Sequence, residues 1–135
     1  MAAQFPHMSP LDLPVWRRFL LLQPSHFDQI RYDVRVGTGS ASWPEDAGQP
    51  PIDWLRLNQK RIDAVGIWKG GTAIIEVKPR ASFSALGQLL CYRDLLRENE
   101  RPTEPLTLWV VCAERDSDLD PTFLRYGVSV LAVGV

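Results

Sequence analysis

The feature that most constrains the fold is a pair of apolar runs separated by a Gly-Gly turn. The first run spans residues 55–68 and the second spans residues 73–77. The segment Lys69-Gly70-Gly71-Thr72 separates them. A glycine pair between two such runs favours a tight antiparallel hairpin, because glycine adopts the positive φ angles that these turns need. Pro79 then ends the second run, since proline cannot donate a ladder hydrogen bond. The chain is therefore predicted to build its core around this hairpin.

Further elements are predicted on both sides of the hairpin. Helical spacing of apolar residues predicts helices over residues 10–23, 82–98 and 121–126. Alternating or continuous apolar residues predict strands over residues 30–36, 106–113 and 128–133. Residues 37–51 are rich in Gly, Ser and Pro and are predicted to form a long loop. The order α-β-β-β-α-β-α-β predicts one α/β domain over residues 1–135, a mixed β-sheet flanked by helices on both faces.

Three charged residues lie within the apolar strands of the hairpin. With Gly70 and Gly71 as a two-residue loop, Lys69 faces Thr72 and Asp63 faces Lys78. Glu76 is two residues from Lys78 and therefore points to the same side of the sheet. Asp63, Glu76 and Lys78 are thus predicted to emerge together on one face.

Buried charges in strands are rare unless they are paired or bind a metal ion. Two converging carboxylates repel each other, and a divalent cation relieves that repulsion. Asp63 and Glu76 are therefore predicted to hold Mg²⁺ or Mn²⁺, with the backbone carbonyl of Val77 as a further ligand. Such a cation polarises a phosphodiester and activates water, while Lys78 orients that water or offsets charge on the phosphate. The alternative is a solvent-facing ladder of ion pairs.

Charge is unevenly distributed along the chain, although the net charge is only −1. Residues 54–80 contain six basic and two acidic side chains, whereas residues 94–120 contain three basic and eight acidic ones. A basic segment around two isolated acids is where a bound anion is expected. Lys60, Arg61 and Arg80 are the candidate phosphate contacts.

The spacing of Asp63, twelve residues, and then Glu76-Val77-Lys78 resembles the signature of the PD-(D/E)XK nuclease superfamily. Gln88 and Tyr92, in the following helix, look like the Gln-x-x-x-Tyr motif of its RecB-like and lambda-exonuclease-like branches. The resemblance implies a restriction-endonuclease-like core and Mg²⁺-dependent hydrolysis of DNA phosphodiester bonds. It also implies that Gln88 lies beside the catalytic cluster and that Tyr92 contacts nucleic acid.

The resemblance leaves one ligand open. Members of the superfamily often supply an upstream histidine or an acid in the first helix as an additional metal ligand. In this sequence Asp12 is the acid inside the first helix, His26 is the upstream histidine, and Glu45 and Asp46 are alternatives in the long loop.

Several functional classes follow from these observations. The first is a deoxyribonuclease acting on DNA, as a homodimer or as a module of a larger repair, recombination, phage or mobile-element assembly. The second is a nuclease fold that binds DNA without cleaving it, and the third is an assembly subunit whose acidic residues 94–120 meet a basic partner. Because no apolar run approaches the ~18 residues of a membrane span and residues 1–14 lack signal-peptide features, a cytoplasmic location is expected.

Overall fold

A computed structural model describes residues 5–23 and 26–134. Its centre is a single five-stranded sheet with the order β1-β2-β3-β4-β5. The strands are β1 (Gln29–Val36), β2 (Lys60–Trp68), β3 (Gly71–Arg80), β4 (Leu106–Glu114) and β5 (Val128–Ala132). β1, β2 and β3 are antiparallel to one another, whereas β3, β4 and β5 run parallel. The predicted mixed sheet is therefore confirmed.

Four helices accompany the sheet: α1 (Leu13–Leu22), α2 (Ile52–Asn58), α3 (Phe83–Glu100) and α4 (Asp120–Arg125). α3 connects β3 to β4 and α4 connects β4 to β5, as parallel neighbours require. α3 and α4 pack their buried side chains into a core on one face, which we call the α3 face. The core on the other face, the α1 face, contains Val15, Trp16 and Phe19 of α1. Helices thus cover both faces of the sheet, as predicted.

The order of elements differs from the prediction by one helix. Residues 55–58 were expected to begin the first hairpin strand, but they complete α2, so the order is α-β-α-β-β-α-β-α-β. Pro51 precedes the first turn of α2 in an extended conformation, and the Asn58 side chain donates to the carbonyl of Trp54 near its end. Short apolar segments do not separate helix from strand by periodicity alone, which explains the error.

The register of the hairpin also differs from the prediction. Lys69 and Gly70 form the loop, and Trp68 pairs with Gly71. Gly71 belongs to β3 and lies against the segment before β4, where a Cβ would clash with the Pro105 carbonyl oxygen. Asp63 is therefore in register with Glu76 rather than with Lys78.

None of the helices in the described part of the chain combines the length and the apolar character of a membrane span.

Candidate active site

The β2–β3 hairpin opens at Asp63. Its ladder runs from the turn to the pair Ala64 and Ile75, and it stops before Asp63 would meet Glu76. Immediately beyond, the backbone N–H of Val77 donates to the Asp63 carboxylate, with 2.9 Å between Val77 N and Asp63 Oδ2. The Asp63 side chain thus takes the place that a backbone carbonyl holds along the rest of the ladder.

β1 is distorted at the same level of the sheet. Asp33 has a φ of 53°, a left-handed conformation that costs a non-glycine residue about 1–3 kcal/mol and is concentrated at functional sites. Tyr32 and Ala64 pack on the α1 face, whereas Val34 and Ile62 pack on the α3 face, so both strands exchange faces here. This kink is what allows Asp63 to leave the ladder and turn its carboxylate to β3.

Glu76 is the most unusual side chain of the site. It lies on β3 with only 4% of its surface exposed, one of two buried polar or charged residues in the described part of the chain. Its Oε2 atom is 3.2 Å from Nζ of Lys78, which shares its face of the strand as predicted. Its Oε1 atom is buried without a hydrogen-bond partner. A buried carboxylate oxygen left in this way is costly unless a further group binds it.

Burial raises the affinity of both the Asp63 and the Glu76 carboxyl groups for protons. Burial, followed by the negative charge of Asp63, raises the pKa of Glu76 to about 8, although Lys78 acts in the opposite direction. Burial also raises the pKa of Asp63, and its hydrogen bond from Val77 limits the rise. The pair therefore favours holding a proton near neutral pH, or an equivalent positive charge.

α3 covers this pair with Gln88 and Tyr92. Gln88 Nε2 lies 3.4 Å from the hydroxyl of Tyr92, one helical turn away. Burial and then the charge of Glu76 raise the pKa of Tyr92 to about 12, so the hydroxyl remains a neutral donor. Oε1 of Gln88 is buried without a partner, like Oε1 of Glu76. The structure thus brings the predicted Asp63, Glu76, Lys78, Gln88 and Tyr92 to one place.

The chemistry of these groups fits a hard divalent cation. The site offers two carboxylates, and Glu76 and Gln88 each present a buried, unsatisfied oxygen. The N–H of Val77 points to β2, and its carbonyl points to the same side because a strand residue directs both groups alike. Mg²⁺ needs one or two carboxylates and completes its shell with water and substrate oxygens. Residues 5–23 and 26–134 contain no cluster of three or more His, Cys, Asp or Glu side chains, so this site rests on two acids.

The upstream candidates for an additional metal ligand lie in different surroundings. The charge of Asp12 raises the pKa of Asp63, but Asp12 does not form a three-residue ligand group with Asp63 and Glu76 in the described part of the chain. His26 instead packs against Phe27, Trp68 and Trp109, toward the turn end of the hairpin. Glu45 and Asp46 are exposed in a single 3-10 turn (Glu45–Ala47).

One neighbour of the site was not predicted from the sequence. His7 Nε2 donates to the backbone carbonyl of Asp63 at 3.1 Å, and His7 lowers the pKa of the Asp63 carboxyl. His7 precedes Asp63 by 56 residues and belongs to no motif, so only the tertiary structure reveals the contact.

The predicted phosphate contacts lie at the margin of the site. Arg61 is paired with Asp33 at 3.0 Å, and Arg80 is paired with Glu114 at 3.3 Å. Lys60 lines a groove of about 420 Å³ between the end of β1 and α3. A phosphate would have to compete with carboxylates for both arginines.

No protein-family model, curated protein or solved structure matches this chain.

Proposed function

We propose that this protein is a metal-dependent nuclease that hydrolyses DNA phosphodiester bonds at the site formed by Asp63, Glu76 and Lys78. One observation carries the proposal: the buried carboxyl of Glu76 lies beside the half-buried carboxyl of Asp63 and has an unsatisfied oxygen, and Lys78 is the only cation within ion-pair distance of Glu76 in the described chain. As mere structure this arrangement costs stability, because both acids are desolvated beside each other. A function that needs concentrated negative charge explains why it exists.

Each side chain has a distinct role in this proposal. Asp63 and Glu76, with the Val77 carbonyl, hold Mg²⁺ or Mn²⁺, which supplies charge neutralisation and activation of water when bound. Lys78 places its ammonium beside Glu76 and offsets negative charge on the phosphate that is being attacked. Gln88 orients the Tyr92 hydroxyl, and Tyr92 donates a hydrogen bond to nucleic acid. Lys60, Arg61 and Arg80 contact phosphates further along the backbone.

The order of the motifs and of the secondary-structure elements supports a more specific proposal about the protein's superfamily. An antiparallel hairpin that carries the acids, followed by a helix that carries Gln88 and Tyr92, is the arrangement expected of a PD-(D/E)XK nuclease with a restriction-endonuclease-like core. We therefore propose membership in this superfamily, close to its RecB-like branch. A partner assembly or a homodimer would supply the substrate specificity of so small a domain.

A panel of substrates tests the activity. Purified protein is incubated with single-stranded, double-stranded and branched DNA and with RNA, in Mg²⁺, Mn²⁺ or EDTA. We expect metal-dependent cleavage of DNA by the wild type, no cleavage by Glu76→Ala, and wild-type cleavage by Glu98→Ala, which removes an exposed glutamate from α3. Cleavage that survives in Glu76→Ala would show that the activity belongs to a contaminant or to another site.

A second candidate is a nuclease fold that binds DNA without cleaving it. The ion pairs of Arg61 and Arg80 and the net charge of −1 favour it, because they weaken attraction to phosphate. DNA binding without cleavage on every substrate, together with no binding of Mn²⁺, would establish this alternative.

A further inference from the structure

The two edges of the sheet are built differently. The edge strand β1 contains Arg31, Asp33 and Arg35, and Asp33 is kinked by its positive φ. Charges and distortions of this kind prevent an edge strand from pairing with another chain. The other edge strand, β5, has the sequence Val-Ser-Val-Leu-Ala, which contains no charge, no proline and no glycine. Within the described residues, no strand pairs with β5 on its outer side.

The backbone groups on the free edge of β5 can be assigned. The N–H of Val133 donates to the carbonyl of Cys112, and the thiol of Cys112 lies 3.7 Å from the carbonyl oxygen of Leu131. Leu131 and Val133 therefore direct their backbone groups to β4. Because alternate residues of a strand direct these groups to opposite sides, those of Val128, Val130 and Ala132 face outward.

This outward set is self-complementary. In an antiparallel pair centred on Val130, the Val130 of one copy faces the Val130 of the other, and Val128 faces Ala132. Each of these residues then both donates and accepts a backbone hydrogen bond across the seam. A two-fold axis of this kind presents the same patch from both copies, which is the requirement for a closed dimer.

The surface beside the edge exposes two large apolar side chains. Leu124 of α4 is 79% exposed, and Tyr126 directly after α4 is 50% exposed. Leu124, Val128 and Val130 line a groove of about 330 Å³ between α4 and β5, and the ion pair of Arg115 and Asp120 forms another part of its wall. A two-fold axis perpendicular to the sheet keeps both α4 helices on the same face, so each Leu124 would lie next to the groove of the other copy. The patch thus contains both a protruding apolar side chain and a depression that is partly lined by apolar residues.

We propose that the β5 edge is an interface between two copies of this chain, which pair their β5 strands antiparallel and form one continuous sheet. The proposal is independent of nuclease activity, because it concerns only the edge strand and α4. A dimer joined in this way leaves the α3 faces of both copies on the same side of the sheet.

Sedimentation velocity over a concentration series tests the interface. We expect the wild type to shift from one to two chain masses as the concentration rises. Ala132→Pro removes an outward N–H while keeping every β4–β5 hydrogen bond, because proline is tolerated where the N–H faces away from the sheet. It should weaken dimerisation about 10-fold or more, since two backbone hydrogen bonds are lost. Ala132→Val keeps the N–H and should dimerise like the wild type.

A second pair of variants tests the same interface without changing the sequence of β5. Leu124→Glu brings two like charges near the seam and should prevent dimerisation, whereas Leu57→Glu, equally exposed on α2, should not. Circular dichroism confirms that each variant is folded. A wild type that remains a monomer at every concentration would overturn the proposal. So would a dimer that persists in folded Ala132→Pro and Leu124→Glu.

Discussion

Replacing Glu76 by Gln should stabilise the metal-free protein at high pH. The pKa of Glu76 is raised to about 8, first by burial and then by the charge of Asp63. In the unfolded chain the same carboxyl loses its proton near its ordinary pKa of 4.5. Between these values the folded protein holds a proton that the unfolded chain does not. The stability that this proton provides is fully present below pH 4.5 and is lost as the pH rises to 8.

The size of the effect follows from this window. One extra proton on the folded state changes the free energy of unfolding by about 1.4 kcal/mol per pH unit, so raising the pH from roughly 5.5 to 8 removes about 3 kcal/mol. Asp63 contributes in the same direction because its pKa is also raised. Gln has nearly the same shape as Glu and carries no charge, so Glu76→Gln should remove most of this pH dependence.

Urea denaturation in EDTA at several pH values measures this. The wild type and Glu98→Gln, an exposed control on α3, should lose stability together as the pH rises, and Glu76→Gln should be the most stable of the three at pH near 9. Equal pH dependence in Glu76→Gln and the wild type would refute the reasoning, because the protonated group would then be a different one.

Three further predictions concern the roles of individual residues. Lys78→Ala should abolish cleavage while leaving DNA binding, measured by fluorescence anisotropy, within a few fold of the wild type; intact cleavage would remove Lys78 from the active site. Asp12→Asn should weaken Mn²⁺ binding up to about 10-fold, because the negative charge of Asp12 acts on Asp63, whereas His26→Ala should not; equal affinities in both variants would exclude a role for Asp12. Tyr92→Phe should weaken DNA binding without shifting the pH profile of cleavage, because the pKa of about 12 keeps the hydroxyl protonated throughout; a shifted profile would mean that Tyr92 titrates in the reaction.

The sequence predicted the grouping of Asp63, Glu76 and Lys78 even though the register was wrong. Moving the loop from Gly70-Gly71 to Lys69-Gly70 changes the residue opposite Asp63 by two positions. Side chains alternate with a period of two, so Glu76 and Lys78 occupy the same face and the error left the site intact. The short helix α2 was missed because its two turns bury no side chain and periodicity does not separate helix from strand in so short an apolar segment.

Other parts of the site depend on tertiary structure and could not be predicted. The positive φ of Asp33 has no sequence signal, yet it creates the kink at which Asp63 leaves the ladder. His7 reaches the Asp63 carbonyl across 56 residues. The ion pairs of Arg61 and Arg80 could not be predicted either, because opposite charges that are distant in sequence meet only in the folded chain.

Titration calorimetry with Mn²⁺ tests most directly whether Asp63 and Glu76 form a site for a divalent cation. The wild type and Glu98→Gln should bind Mn²⁺ saturably and release protons on binding, because the carboxyl pair must ionise to accept the cation. Glu76→Gln should show no binding in the same range. A wild type that does not bind Mn²⁺, or a Glu76→Gln variant that binds it as tightly as the wild type, would contradict the account.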